Sequence, residues 1–319
     1  MSPASSAPAR IGLVGAGRIG RQHALAVQRS PLLELAAIAD PSEPARTAIA
    51  GDAPTFETVG QMLAEVALDG VVVAVPSALH VDVVPVLLEA GIPVLCEKPC
   101  GLATADVRHL ASLARESGVA LQVGYWRRFV PSLCALRERI LDQESGEVAM
   151  LSALQWDGEP PSAAFRDPAS SGGILVDMGV HEFDMLRWLT GQEIGEIAGF
   201  ASDVTWAPPV AGDPETVNLV ARMSGGATAT VSLARRHPPG DLCRIDVLAG
   251  EHVESVTFVE PDEDEPLMLA ALQAQVEALV GHGAFAPARV DDAVAALDAA
   301  TRAAQTLGTP LPAPREVLR

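Results

Sequence analysis

The stretch RIGLVGAGRIGRQHALAVQRS, Arg10 to Ser30, decides the architecture: an apolar run, a glycine turn and a segment of helical period follow one another without a gap. Gly15, Gly17 and Gly20 satisfy G-x-G-x-x-G, with Arg18 and Ile19 at the variable positions. The first glycine permits a tight turn, the second close approach of backbone to a pyrophosphate, and the third close helix-strand packing, while the helix N-terminus offers unpaired N–H groups to the anion. By itself the pattern also fits an ordinary strand-helix turn. Here the next apolar strand, LELAAIAD, ends in Asp40, twenty residues after Gly20, where a carboxylate accepts hydrogen bonds from the adenosine ribose. The combination predicts a dinucleotide site. A carboxylate at this place repels a 2′-phosphate, so NAD is expected ahead of NADP, with Ser42 and Arg46 close enough to soften the preference.

Outward from this unit, short β-rich runs alternate with helical stretches as far as Val123: TVGQMLAEV, GVVVAVP, HVDVVPVLLEAG, IPVLCE, VRHLASLARESG and VALQVGY. Strand-helix-strand at this rhythm predicts a parallel sheet with helices on both faces, a Rossmann domain over residues 1–124. Beyond Tyr125 the texture becomes longer, partly alternating segments separated by Gly-Gly, Asp-Pro and Pro-Pro turns. That texture predicts an α+β domain over 125–319 with a large, mostly antiparallel open sheet, suited to substrate binding and oligomerisation. One helix is expected near Gly179–Leu189 and two more at Pro266–Val280 and Val290–Leu307, the last able to pack back on the first domain.

Composition narrows the partners of this 319-residue chain. A net charge of −19 repels phosphate backbones and anionic membranes, so neither nucleic acid nor a membrane is an expected partner. The N-terminal MSPASSAPAR has no apolar stretch of signal-peptide length, and no run of about eighteen apolar residues occurs anywhere, so a cytoplasmic protein is expected. Cys96, Cys100, Cys134 and Cys243 show neither CxxC pairing nor zinc-finger spacing; they are expected as small buried hydrophobes, and no metal site is implied.

Two places carry candidate chemistry. Lys98, in VLCEKPCG, is the only lysine among twenty-two basic residues. Its compact ammonium can point at one oxygen, and a partly desolvated lysine can give up a proton, which arginine hardly does. In SGGILVDMGVHEFDMLRWLTG, Asp177, His181 and Asp184 are spaced by four and three, so a helix would set them on one face. An Asp/His pair beside a nucleotide fold suits alcohol oxidation, in which a base removes the hydroxyl proton as hydride leaves carbon. The same spacing also fits a core histidine paired with a carboxylate, and a first-turn acid on the helix dipole.

The GAGRIG turn, VVAVPSALH (Val72–His80), the Glu97-Lys98-Pro99 tripeptide, VGYWRRFVP (Val123–Pro131) and GG-x-L-x-D-x-G-x-H-x-x-D (Gly172–Asp184) occur in the order and spacing of the Gfo/Idh/MocA oxidoreductases, which the chain resembles over nearly its whole length. Within that family the resemblance is to the inositol 2-dehydrogenases, through WRRF and RRHPPGD (Arg235–Asp241). The resemblance implies that Glu97, Lys98 and Pro99 close the nicotinamide side of the cleft, often with a cis bond before the proline, and that Lys98 contacts cofactor ribose and substrate hydroxyl. It implies that Asp177 binds substrate, His181 accepts the proton and Asp184 supports them. Pro76, Ser77 and His80 match the loop lining the nicotinamide pocket, although many members carry Asn where this chain has Ser77. Arg127 and Asp157 fall where relatives contact sugar hydroxyls. Arg127, Arg128, Arg235 and Arg236 are equally suited to salt bridges, and Trp126 and Trp156 to interface packing.

The function implied is an NAD-dependent dehydrogenase of a cyclic polyol, an inositol first, with Lys98 stabilising the alkoxide and Asp177 also holding the His181 tautomer. Alternatives are a sugar or uronic-acid dehydrogenase, a glycosidase that retains its cofactor, and a non-catalytic NAD(P) sensor. Relatives associate, so a homodimer or homotetramer is expected.

Overall fold

In the computed structural model, which describes residues 7–143, 146–204, 210–261, 264–283, 285–309 and 311–313, the Arg10–Ser30 stretch forms the unit its pattern predicts. Strand β1 (Ala9–Val14) runs through Gly15–Gly17 into helix α1 (Arg18–Arg29) and returns as β2 (Leu33–Ala39). The first sheet is completed by β3 (Thr55–Phe56), β4 (Gly70–Val73), β5 (Val94–Cys96) and β6 (Leu121–Val123). Its order is β3-β2-β1-β4-β5-β6, and all of these pairs are parallel. This is the Rossmann order, which reverses between β1 and β4 and so opens a crevice at the carboxyl ends of those two strands. The buried strands are near-continuous apolar runs, as GVVV in β4 shows, because helices cover both faces.

Five short or medium helices alternate with these strands: α1, then α2 (Glu43–Thr47), α3 (Val59–Glu65), α4 (His80–Glu89) and α5 (Thr104–Ser117). The chain then crosses through α6 (Pro131–Leu141) into β7 (Val148–Trp156), two single-turn helices α7 (Ala163–Arg166) and α8 (Pro168–Ser171), and α9 (Val180–Thr190). Strands β8 (Ile194–Ser202), β9 (Thr216–Met223), β10 (Thr228–Ala234), β11 (Leu242–Ala249) and β12 (His252–Val259) complete a second sheet of order β12-β11-β7-β10-β9-β8. Only β7 and β10 pair in parallel; every other pair is antiparallel. Alternation along β9 is strict: Val217, Leu219, Ala221 and Met223 are buried, while Asn218, Val220 and Arg222 face outward. One face of the sheet therefore packs on helices and the other is open.

The C-terminal third returns to the first sheet. Helix α10 (Asp264–Leu279) lies against α1, β13 (Ala288–Arg289) adds an antiparallel edge beside β6, and α11 (Val290–Leu307) packs on α5, α9 and β8. Helix α11 also contacts β6 of the first sheet. The N-terminal MSPASS lies outside the described residues. No described helix is long and apolar enough to cross a membrane, and all four cysteines are buried and free.

Candidate active site

The nucleotide crevice is built by backbone demands. Gly15 has φ +99°, and a Cβ there would meet the Ala74 carbonyl oxygen at 2.6 Å, so the turn after β1 and the end of β4 close on each other through a residue with no side chain. A Cβ on Gly20 would lie 2.0 Å from the Gly15 carbonyl oxygen, which fixes how closely α1 packs. At Gly17 a Cβ would meet nothing within 4 Å: the space beside this backbone is open at the N-terminus of α1, and it fits a pyrophosphate. Arg18 is exposed and Ile19 partly buried at the rim. Asp40 ends the next strand with Oδ2 accepting from Ala16 N–H at 2.7 Å and Oδ1 from Ser42 N–H at 2.7 Å, which fixes the carboxylate facing the crevice. Arg46 donates to the carbonyls of Asp40 and Pro41 and so backs the same corner.

Across the crevice, β5 ends in the Glu97-Lys98-Pro99 turn, whose Lys98–Pro99 bond is cis. Glu97 points inward, its Oε1 accepting from His23 Nε2 at 2.6 Å and its Oε2 from Lys98 N–H at 3.1 Å. A Cβ on Gly124 would lie 2.7 Å from Glu97 Oε2, so that glycine makes room for the carboxylate. The pair ties the nucleotide helix α1 to the turn that carries the lysine. His80 is also buried, with Nδ1 2.8 Å from the Pro99 carbonyl and Nε2 3.0 Å from that of Val75. Burial holds this ring below its ordinary value, so it is neutral and donates to one of the two carbonyls while it packs between the Pro76–Ser77 loop and the cis turn; Pro76 is exposed and Ser77 half-buried on that loop.

Lys98 reaches over the crevice to the second domain. Its Nζ donates to the Asp177 carbonyl at 2.8 Å and to Asp177 Oδ1 at 2.9 Å. Asp177 Oδ2 accepts from Arg235 Nη1 at 2.6 Å. Burial pushes the Asp177 carboxyl up, but Lys98 and Arg235 outweigh it and hold the group at about 2, ionised at neutral pH. The His181 ring is held well below its ordinary value, by burial first and then by the Lys98 and Arg127 charges, so it is neutral and able to accept a proton. The only tyrosine, Tyr125, stands edge-on to it, with ring centroids 5.9 Å apart. Asp157 lies nearby; burial raises its carboxyl to about 6 against a lowering hydrogen bond from Gln155, with the Asp177 charge adding to the rise.

A profile for the Gfo/Idh/MocA oxidoreductases, with their NAD-binding Rossmann fold, matches residues 9–125, and the profile of the family's C-terminal domain matches residues 134–252. The chain belongs to this family. It is 45% identical over 306 residues to the rhizopine catabolism protein MocA of Rhizobium meliloti, covering 95% of this chain and 96% of that one. It is 36% identical over 240 residues to an inositol 2-dehydrogenase of Rhizobium meliloti strain 1021, covering 75% and 72%. The crystal structure of a myo-inositol dehydrogenase from Corynebacterium glutamicum superposes with a TM-score of 0.84 at 27% identity, covering 96% of this chain and all of that one.

Several expected site residues of this Gfo/Idh/MocA chain are placed differently. Asp177 does not orient His181: its two oxygens are taken by Lys98 and Arg235, stronger donors than imidazole, and His181 Nδ1 has no hydrogen-bond partner among the described residues. Asp177, His181 and Asp184 do not form one stripe either, because Leu175–Gly179 is a π-helical turn. The extra residue in that turn swings what precedes it by about 100° relative to α9. Asp184 accordingly faces Arg128, which donates to its two oxygens at 2.9 and 2.5 Å and reaches Asp292 at 3.2 Å. Arg127, expected at the substrate, is buried on Glu182, donates to Gln155 Oε1 at 2.7 Å and stacks 5.0 Å from the Phe258 ring. It reaches Asp157 only through Gln155, which in turn donates to Asp157 Oδ1 at 3.0 Å. Trp126 packs edge-on to Phe258, and Trp156 donates to Ser232 Oγ.

Sequence reasoning missed His23, Glu182 and Asp213. His23 left a signal, being the one ionisable residue on the buried face that also holds Gly20, Ala24 and Val27. Asp213 left only an Asp-Pro turn, and Arg235, weighed as a salt-bridge partner, gave no sign that its carboxylate would be Asp177.

Proposed function

We propose that this oxidoreductase oxidises a secondary alcohol of a cyclic polyol, an inositol before other rings. The observation that carries the reading is that the chain's only lysine is laid on Asp177, one turn before a neutral buried histidine, beside a crevice that fits a dinucleotide. The resemblance to proteins named inositol dehydrogenase supports the ring as substrate.

Gly15, Gly17 and Gly20 would hold the pyrophosphate of NAD, Asp40 its adenosine ribose, and the Pro76–Ser77 loop and cis turn its nicotinamide end. Bound there, the nicotinamide supplies the hydride acceptor. The chain's own residues do the rest. Asp177 stays ionised and keeps the Lys98 ammonium at one place, where it stabilises negative charge developing on the substrate oxygen. His181, held neutral by burial and the neighbouring Lys98 and Arg127 charges, takes the hydroxyl proton as the hydride leaves carbon. Glu97 and His23 fix the turn from behind, and Asp157 accepts a hydrogen bond from a second ring hydroxyl.

A screen of inositols, aldoses and uronic acids with NAD, followed by NADH absorbance, tests this reading. Net NADH formation with a free inositol, faster than with aldoses or uronic acids, is the expected result. Turnover confined to uronic acids, or bond cleavage without net NADH, refutes it. A homo-oligomer is proposed as well, supported by exposed apolar side chains on the open sheet face at Phe200, Val220, Val253 and Met150.

A further inference from the structure

Helix α1 carries a histidine on its buried face. His23 is sealed from solvent beside Gly20, Ala24 and Val27, on the side of the helix that packs into the fold. Its Nδ1 is buried with no hydrogen-bond partner among the described residues, so the ring's one polar contact is the 2.6 Å hydrogen bond from Nε2 to Glu97 Oε1. An apolar side chain would fill this face without leaving a buried nitrogen unmatched, and packing alone therefore gives no reason for an imidazole here. The reason lies in Glu97, itself only 5% exposed, whose other oxygen accepts from Lys98 N–H at 3.1 Å.

Lys98 is thereby gripped at both ends. Its ammonium lies on Asp177 of the second domain, and its main-chain N–H lies on a carboxylate that the nucleotide helix holds. We propose that His23 is a positioning residue for Lys98: it fixes where the Glu97 carboxylate stands, and Glu97 fixes where the lysine begins its reach across the crevice. Gly124 gives that carboxylate its seat, since a Cβ there would come within 2.7 Å of Oε2 and 2.9 Å of the Glu97 Cα. The imidazole keeps it seated. His23 has no exposed surface, so it meets neither substrate nor cofactor and acts only through the turn. The ammonium has to meet one oxygen, and misplacing such a group by about 1 Å costs ~100-fold in rate.

This inference rests on Lys98 acting at the reacting oxygen. The experiment is a double-mutant cycle in the full-length chain, with kcat, KM and NAD affinity measured on the ring alcohol that the substrate screen shows to be turned over fastest. His23→Leu removes the donor to Glu97 and should lower kcat about 10- to 100-fold, while the dissociation constant of NAD changes less than about threefold. His23→Gln carries an amide N–H where the imidazole has Nε2, and should stay within about fivefold of the parent. In a Lys98→Ala background, read in single turnovers, His23→Leu should cost less than about threefold more, because no ammonium remains for the turn to aim. A merely structural role costs the same factor in both backgrounds. That result, or equal losses in His23→Gln and His23→Leu, overturns the proposal. If His23→Leu does not fold, Glu97→Asp draws the carboxylate back by one methylene and goes through the same cycle with the same expectation. Parental turnover in Lys98→Ala would sink the role of Lys98 and this inference with it, whereas equal factors in an enzyme that needs Lys98 sink only the part given to His23.

Discussion

Replacing Lys98 by alanine separates the chemistry from the fold. The ammonium makes two short hydrogen bonds, to the carbonyl and to Oδ1 of Asp177, and it is the group that the cis turn aims across the crevice. Losing one oriented, charged donor to a developing oxyanion costs about 100- to 1000-fold in kcat, ~3–4 kcal/mol of barrier. The loss in stability is much smaller. Asp177 keeps Arg235 at 2.6 Å, so no carboxylate is left without a cation, and a partly exposed pair of this kind contributes about 1 kcal/mol. NAD affinity should change less than about threefold, since the glycine turn and Asp40 are untouched. The assay is NADH formation from an inositol at saturating NAD, with NAD binding followed by quenching of tryptophan fluorescence. Lys98→Arg should recover less than about tenfold, because a planar fork cannot place one donor where an ammonium does. Activity of the alanine variant within a few-fold of the parent, with NAD binding intact, would refute the assignment of Lys98 to the reacting oxygen.

Asp40→Ser removes the carboxylate that would repel a 2′-phosphate and leaves Arg46 beside the same corner, so the NADP/NAD ratio of kcat/KM should rise by at least about tenfold, ~1.4 kcal/mol; an unchanged ratio removes Asp40 from its role. Asp157 is raised to about 6 in the folded chain, above its unfolded value near 3.8, so its contribution to stability is fully present below pH 3.8 and is lost as pH rises through 6. The full loss amounts to ~3 kcal/mol, discounted to about 1–2 kcal/mol for partial solvation. Asp157→Asn should therefore gain Tm relative to the parent between pH 4 and 7, and parallel Tm curves would show that burial does not raise this carboxyl. Phe200→Asp on the open sheet face, where Phe200 is 85% exposed, should shift the mass measured by light scattering toward the monomer; a parent that is already monomeric contradicts the proposed association.

The nucleotide half was legible because its signals are local. A turn with φ +99° at Gly15, a helix that packs against a carbonyl at Gly20, and a carboxylate at the end of the next strand each impose a residue type at a fixed distance along the chain. The last helix was equally legible: the apolar period predicted Val290–Leu307, and α11 has those bounds. Partnerships across the chain left no such trace. His23 and Glu97 lie 74 residues apart, and Arg235 and Asp177 lie 58 apart; nothing in the spacing of either couple says that they meet.

The Asp177–Asp184 segment shows where local reasoning misled, since the residue types were right and the geometry assumed for them was not. Helical spacing puts residues four and seven apart on one face only if every turn is α. The widened turn at Leu175–Gly179 rotates Asp177 away from Asp184, and the two carboxylates serve different networks: Asp177 joins Lys98 and Arg235 at the crevice, while Asp184 joins Arg128 and Asp292 against the last helix. Even in an unbroken α-helix the two carboxylates would stand about 10 Å apart along the axis, so what decides their states is the partner each one meets. Asp177 is held ionised by Lys98 and Arg235, which is the state in which it can keep Lys98 in place.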